Sequence, residues 1–252
     1  MISRRGAIAT ALSISLGLHH SRADEYAGDF LGVPDADLVY PSAVDQMQYY
    51  GSKDPTTEMQ ILANGILDNA PSGPRPIDVA EYFLSKSVDS HYVEQWPSHD
   101  SWNPVIVRFF EATGLKVSND MVPWCAAFIN WCLVRSGRNG SNSASSQSFL
   151  NEKFKKTDDP TEGDLIVLAF FEAATSKPTG LGHVAFLLGP PQQGIVEVLG
   201  GNQSKSGKSS VICRTKFPLK TNVFSRCIGR ADGVCTRLIS GYLAKADFVK
   251  VY

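Results

Sequence analysis

The chain has 252 residues, of which 43% are hydrophobic and 19% charged. This composition is typical of globular proteins and unlike that of disordered ones. Lys and Arg (24) nearly balance Asp and Glu (25), which gives a net charge of −1 at pH 7. Proteins that bind nucleic acid need an excess of positive charge to neutralise phosphates, so we expect no nucleic-acid partner.

Residues 1–23 have the order of a secretory signal peptide. Arg4 and Arg5 form a positive head, residues 6–18 are apolar or small, and residues 21–23 place small side chains where a signal peptidase cuts. The paired arginines also fit a twin-arginine signal. The alternative to a signal peptide is a frayed N-terminal helix. The apolar stretch is shorter than the about 20 residues that span a bilayer. We therefore expect a bacterial periplasmic or secreted protein without a membrane span.

Cleavage after residue 23 removes three arginines and no acidic residue, so 21 basic and 25 acidic side chains remain, a net charge of −4. The remaining 229 residues suffice for one domain with a substantial core. We predict a partly helical lead-in segment over residues 24–70. One domain then follows over residues 71–252 and includes a cysteine-containing C-terminal extension.

Helical patterns dominate the first half of the chain. Within the lead-in, residues 56–67 predict a short helix, and three prolines between positions 71 and 76 mark a connector. Further helices are predicted over residues 77–87 and 104–113. The clearest helix follows Trp124, where one face at helical spacing carries Cys125, Phe128, Ile129, Cys132 and Leu133. Asn130 falls off this face, and Gly137 is a suitable end to the helix.

The pattern changes to strands after Pro160. Residues 139–148 are rich in Ser and Asn and predict a loop that enters a short helix over residues 146–154. The predicted strands are residues 165–171, 183–188, 195–199 and 209–214, and segments 238–242 and 248–252 are candidates to close the sheet. Helices first and strands afterwards, with short strand connections, predict an α+β fold with an antiparallel sheet.

The five cysteines follow the predicted signal peptide. Cys227 and Cys235 bracket a short loop and are the most plausible disulfide, with Cys213 as a competing partner. An odd number of cysteines in an exported chain leaves one thiol over, and we expect that thiol to be Cys125. The chain has no Cys-x-x-Cys pair, and the three histidines that follow the predicted signal peptide lie far apart, so we predict neither a metal site nor a cofactor.

Cys125 is the candidate nucleophile. A thiol attacks as the thiolate, and the unpaired amides and partial positive charge at a helix N-terminus favour that anion. The same amides could bind the oxyanion of a tetrahedral intermediate. A buried core cysteine is the competing interpretation, and Cys132, two turns along the same face, is the natural control.

His183 is the candidate base, because it is predicted to open a strand after a glycine-rich step and could take the thiol proton. Asn202 is the candidate orienter of the imidazole, with a turn residue as the alternative. Glu197 and Asp164 are competing orienters that rank lower, since one lies within a strand and the other in a turn. Gln203 is a weaker candidate for contact with the oxyanion or the substrate.

Four motifs together resemble the CHAP and NlpC-type families of cell-wall cysteine peptidases and amidases. The closest subgroup has a Trp-Cys-Ala-Ala-Phe helix start, a Gly-Asp turn, a Gly-His-Val strand and a Leu-Gly-Gly-Asn-Gln element. In this chain they are residues 124–128, 163–164, 182–184 and 199–203. Segments 96–97 and 103–106 also resemble that subgroup, and the similarity covers roughly residues 75–212.

The resemblance implies a papain-like α+β core in which the Cys125 helix packs on an antiparallel sheet that carries His183 and Asn202. It implies hydrolysis of an amide bond in peptidoglycan, either within the stem peptide or between the muramoyl sugar and L-alanine. Trp124 and Asn103 are the weaker candidates for substrate contact.

Two features depart from the resemblance. Some CHAP enzymes place a glutamate two residues before the asparagine, and that position is Gly200 here. The cysteine-containing segment after residue 212 is also longer than the resemblance implies. A non-catalytic wall-binding or interaction module and a cysteine-dependent transamidase are the alternatives on the same fold.

Overall fold

The computed structural model describes residues 53–90, 93–94, 101–150, 157, 159–172, 178–203, 210–218, 220–225 and 236–244. Several predictions concern residues outside these ranges. They are the signal peptide, the first part of the lead-in, the Cys227–Cys235 disulfide and a strand over residues 248–252. Within the described ranges the fold is α+β, as predicted from the order of helices and strands.

The described part has four α-helices, all before the sheet. They are α1 (Thr57–Asp68), α2 (Pro76–Ser90), α3 (Pro104–Phe109) and α4 (Cys125–Arg135). Two 3-10 segments, Phe110–Ala112 and Ser146–Leu150, follow α3 and α4. The prediction of one helix over residues 104–113 was wrong in its second half, because the chain tightens into the 3-10 segment at Phe110. None of the described helices is both long enough and apolar enough to cross a membrane.

Local sequence explains where these helices begin and end. The Thr56 hydroxyl accepts from the Met59 amide (3.3 Å) at the start of α1, and Asn103 caps α3 by accepting from the Val105 amide (3.0 Å). At the end of α4, Gly137 adopts a φ of +70°, and the amide of Arg138 donates to the Leu133 carbonyl (2.9 Å). This is a Schellman ending, which needs a left-handed residue at the glycine position.

The strands form one six-stranded antiparallel sheet with the order β4-β3-β2-β1-β6-β5. Its strands are β1 (Leu165–Glu172), β2 (Pro178–Leu187), β3 (Ile195–Gln203), β4 (Val211–Pro218), β5 (Lys220–Ser225) and β6 (Thr236–Ala244). The predicted tail strand over residues 238–242 is therefore present as β6, and it pairs with β1. Strand β5 was not predicted from the sequence.

The core lies between α4 and the sheet. Helix α4 packs on β2 and β3, and its buried side chains join those of Val184, Phe186 and Leu199 in one hydrophobic cluster. On its other side α4 meets α2 and α3 through aromatic rings. Phe83 of α2 lies edge-on to Phe109 at 5.1 Å and to Trp131 at 5.2 Å between ring centroids. These contacts fix the start of α4 against the centre of the sheet.

Candidate active site

Cys125 is the first residue of α4. The helix is preceded by Trp124, whose side chain makes no capping hydrogen bond. In any α-helix the amides of the first turn lack intrahelical partners. Because Cys125 is the first residue of α4, these amides lie beside its thiol. The side chain is buried, with 5% of its surface exposed. The predicted position at a helix N-terminus is therefore the one that the structure shows.

His183 lies in the middle of β2, opposite Leu168 of β1. The prediction that His183 opens its strand was wrong, because β2 begins at Pro178. The glycines before His183 predicted a strand end that lies near another backbone, and in the structure Gly182 makes a close approach within the strand. A Cβ atom at Gly182 would collide with the Leu168 carbonyl and with the Gln147 carboxamide, which donates to that carbonyl (2.8 Å).

The imidazole of His183 is shielded from water. Only 5% of the residue is exposed, and neither ring nitrogen has a hydrogen-bond partner among the described residues. Burial disfavours the charged imidazolium and lowers the pKa of His183 from 6.5 to about 4. The ring is therefore neutral at pH 7. The hydrogen bond predicted between His183 and Asn202 is not formed in this structure.

Asn202 lies within β3, although the sequence suggested a turn after that strand. The β2–β3 register pairs Phe186 with Leu199 and Leu187 with Val198. The pairing of β3 with β4 shifts between Gly200 and Gln203, and Asn202 itself has a φ of +58°. Its buried Oδ1 accepts from the Ser210 hydroxyl (2.5 Å). No pattern in the sequence predicts this contact between Ser210 and Asn202.

At Gly201 the backbone of β3 contacts the start of α4. A Cβ atom at this position would overlap the Trp124 ring and lie 3.0 Å from the Cβ of Phe128. Only glycine lets the β3 backbone approach α4 this closely. Since Trp124 precedes Cys125 and Gly201 precedes Asn202, this contact brings the cysteine end of the helix next to the asparagine segment.

Gln203 is buried directly after Asn202. It is 3% exposed, and neither its Oε1 nor its Nε2 has a hydrogen-bond partner in the described part of the chain. Its carboxamide lies over Gly200, where a Cβ atom would overlap Nε2 and come within 2.9 Å of the Ala185 Cβ. Side chains alternate along a strand, so Ala185 shares its face of β2 with His183.

The two weaker substrate candidates are held inside the protein. The Trp124 ring has no exposed surface and stacks on Phe109 with 6.1 Å between ring centroids. Asn103 caps α3 through its Oδ1 and donates its Nδ2 to the Glu94 carbonyl (3.0 Å). Both side chains therefore support the packing of the helices behind the site.

The competing orienters have structural partners. Glu197 forms an ion pair with Lys216 across β3 and β4 (2.5 Å). Asp164 accepts from the amide (2.7 Å) and the hydroxyl (3.1 Å) of Thr161, which closes the turn before β1. These contacts agree with their lower rank in the sequence analysis.

The other cysteines differ from Cys125 in position. Cys132 lies within α4 with no exposed surface, and burial raises the pKa of its thiol well above the usual value. Cys213 is buried in β4. In the described part of the chain, no three His, Cys, Asp or Glu side chains are grouped as a metal site requires.

A helix that begins with a cysteine and packs on an antiparallel sheet carrying a buried histidine has the arrangement of a papain-like α+β fold. Residues 117–202 match the family model of the CHAP domain. This confirms the resemblance stated from the motifs, and the matched segment contains Cys125, His183 and Asn202. CHAP domains are typically hydrolases of the cell-wall peptidase and amidase type. Neither the curated proteins nor the solved structures include a match to this chain.

Proposed function

We propose that the protein is an exported cysteine hydrolase that cleaves an amide bond in peptidoglycan. The bond is either a peptide bond of the stem or the bond between N-acetylmuramic acid and L-alanine. The observation that carries the proposal is the position of Cys125 at the first residue of α4, against the strands that hold His183 and Asn202. The CHAP match over these same residues supports the cell wall as the substrate. The order of residues 1–23 supports export to the periplasm or beyond.

The reaction begins when the Cys125 sulfur attacks the carbonyl carbon of the amide while its proton passes to His183. The oxyanion that forms is stabilised by the amides in the first turn of α4, which have no partner within the helix. His183 then returns the proton to the leaving amine, the C–N bond breaks, and a thioester remains on Cys125. Water attacks the thioester with His183 as base, which releases the acid and restores the thiol.

One ring nitrogen of His183 must face the Cys125 thiol. The other ring nitrogen needs a hydrogen bond that holds the ring in this orientation. A side-chain amide at the end of β3 makes this hydrogen bond, and the sequence predicts that the amide belongs to Asn202. The close approach of Gly201, the residue before Asn202, to Trp124, the residue before Cys125, supports this location. The lowered pKa of His183 means that the ring is neutral and able to accept a proton at pH 7.

The proposal is tested by hydrolysis of purified peptidoglycan. Cys125→Ala should reduce the rate by at least about a thousandfold, because nothing else in the site can form the thioester. Cys132→Ala, two turns along the same helix, should retain the rate and is the matched control. Mass spectrometry of the products identifies the bond cleaved. Unchanged hydrolysis by a correctly folded Cys125→Ala protein would refute the proposal.

Alkylation by iodoacetamide tests whether the Cys125 thiol is activated. In the Cys132→Ala background, Cys125 should react in the native protein, and His183→Ala should slow the reaction. Reaction only after unfolding would indicate a core cysteine and favour the non-catalytic binding module. Transfer of the acyl group to an added amine in preference to water would indicate the transamidase instead.

A further inference from the structure

We propose that Gln203, rather than Asn202, supplies the side-chain amide that orients the His183 imidazole. Gln203 is then a positioning residue, which acts on the substrate only through His183. This inference rests on the proposed function, since it assigns one role within that catalytic site. It adds a residue that lies one position beyond the segment matching the CHAP domain.

The first argument is that both side chains are buried without partners. The ring nitrogens of His183 and both amide atoms of Gln203 lack a hydrogen-bond partner among the described residues, and the residues are 5% and 3% exposed. Buried polar atoms in folded proteins are almost always paired, and the exceptions cluster at functional sites. An imidazole N–H and an amide oxygen are matching groups, so each side chain can satisfy the other.

The second argument is the space that Gly200 leaves. Some CHAP enzymes have a glutamate at this position, and here the Gln203 carboxamide occupies the space where a side chain at residue 200 would begin. The carboxamide lies beside Ala185, which is two residues from His183 on the same face of β2. The Gln203 carboxamide therefore lies on the face of β2 that carries Ala185 and His183.

The third argument is that Asn202 is already engaged. Its Oδ1 accepts from the buried Ser210 hydroxyl, and its backbone is held in the left-handed region. This pair fixes the irregular step between Gly200 and Gln203, where the β3–β4 register shifts. Asn202 thus shapes the strand end that carries Gln203, and Gln203 holds the histidine.

In the reaction, Gln203 Oε1 accepts from the ring N–H that points away from Cys125. This hydrogen bond selects the tautomer whose other nitrogen is unprotonated and faces the thiol. When His183 takes the thiol proton, the same oxygen stabilises the second N–H of the imidazolium. The proton transferred comes from Cys125 and leaves with the amine, so Gln203 gains and loses none.

The test reads the imidazole directly, by ¹⁵N NMR of the His183 ring across a pH series in the full chain. The signal is assigned by its loss in His183→Gln. Gln203→Glu places a carboxylate against the ring N–H and should raise the pKa of His183 by about one unit or more. Asn202→Asp should change it much less. Gln203→Met, which keeps the volume without the amide, should abolish the preference for one tautomer, and exposed Gln192→Met is the control.

A rise in the pKa of His183 with Asn202→Asp and none with Gln203→Glu would overturn the inference in favour of Asn202. An unchanged tautomer in Gln203→Met would also overturn it, and this variant avoids the burial of a charge if Gln203→Glu fails to fold. Failure of the proposed function is distinguishable from either result. It would appear as full hydrolysis by Cys125→Ala, whatever the ring signals of His183 show.

Discussion

The protonation of His183 is set by its burial. With 5% of the residue exposed, the charged ring loses the hydration that stabilises it in water, and its pKa falls to about 4. A neutral ring suits a general base, but it favours an uncharged thiol over a resting thiolate–imidazolium pair. In the proposed mechanism the charge separation depends on the amides of the first turn of α4, which favour the thiolate form of Cys125.

The same shift makes stability depend on pH. The pKa of His183 is about 4 in the folded chain against 6.5 as the ordinary value, so between these values the unfolded chain binds the extra proton. Stability contributed by the neutral ring is complete above pH 6.5 and is lost as the pH falls towards 4. The loss amounts to about 3 kcal/mol at most. His183→Gln lacks this titration, so its unfolding free energy should fall less over this range.

Urea unfolding of the wild type and His183→Gln at pH 7, 5.5 and 4.5 checks this prediction. The difference between their unfolding free energies should move in favour of the variant as the pH falls. Parallel curves for the two proteins would show that the imidazole is as hydrated in the folded chain as in the unfolded one.

The sequence predicted the candidate site residues but not all of their contacts. Cys125 could be placed at a helix start because helical spacing and the Trp-Cys-Ala-Ala-Phe motif are local signals. Two contacts depend on an irregular step in β3. Ser210 donates to Asn202, and the Gln203 carboxamide lies over Gly200. Such a step has no pattern in one sequence, because it follows from the pairing of three strands.

At the level of elements, glycine explains most of the errors in strand boundaries. Gly182 and the Gly200–Gly201 pair indicated strand ends, which shortened the predicted β2 and β3. In the structure these glycines lie within strands, where Gln147, Gln203 and Trp124 approach the backbone. Glycine permits both a turn and a close approach, and only the tertiary packing distinguishes the two. Helix α4 was predicted well because its spacing and its glycine end are both local.

The hairpin between β2 and β3 contains a strained residue. Gln192 and Ile195 exchange two backbone hydrogen bonds (2.8 and 2.9 Å), and the two residues between them, Gln193 and Gly194, have φ values of +52° and +77°. Two-residue turns of this kind favour Asn-Gly, because asparagine tolerates the left-handed region better than glutamine. Gln193→Asn should therefore raise the unfolding free energy by about 0.5 to 1 kcal/mol.

Chemical denaturation of Gln193→Asn against the wild type measures this gain. Gly194→Ala is the matched control at the next position, and it should lower the unfolding free energy by about 1 kcal/mol because alanine resists the same conformation. A loss of stability in Gln193→Asn would mean that the glutamine side chain contributes more through its contacts than its backbone costs.

At the scale of the whole molecule, the lead-in and helix α4 share one core. Ala63, Ile66 and Leu67 of α1 are buried in the same cluster as α4. Arg135, the last residue of α4, donates to the carbonyls of Asp68 (2.8 Å) and Ala70 (2.7 Å). These bonds cross the boundary at residue 70 that was predicted from composition. Composition shows which segments are polar or rich in proline. It does not show which carbonyls an arginine side chain will bind.

A chain that begins at residue 71 should therefore be much less stable than one that begins at residue 53. Removing α1 exposes the apolar surface that Ile66 and Leu67 cover, at about 1.5 to 3 kcal/mol for each side chain, and leaves the Arg135 guanidinium without its carbonyl acceptors. This loss is a large fraction of the 5 to 15 kcal/mol that typically stabilises a domain. Thermal unfolding followed by circular dichroism compares the two chains. Equal melting temperatures would show that the hydrolase core folds without α1 and that the boundary at residue 70 separates two independent parts.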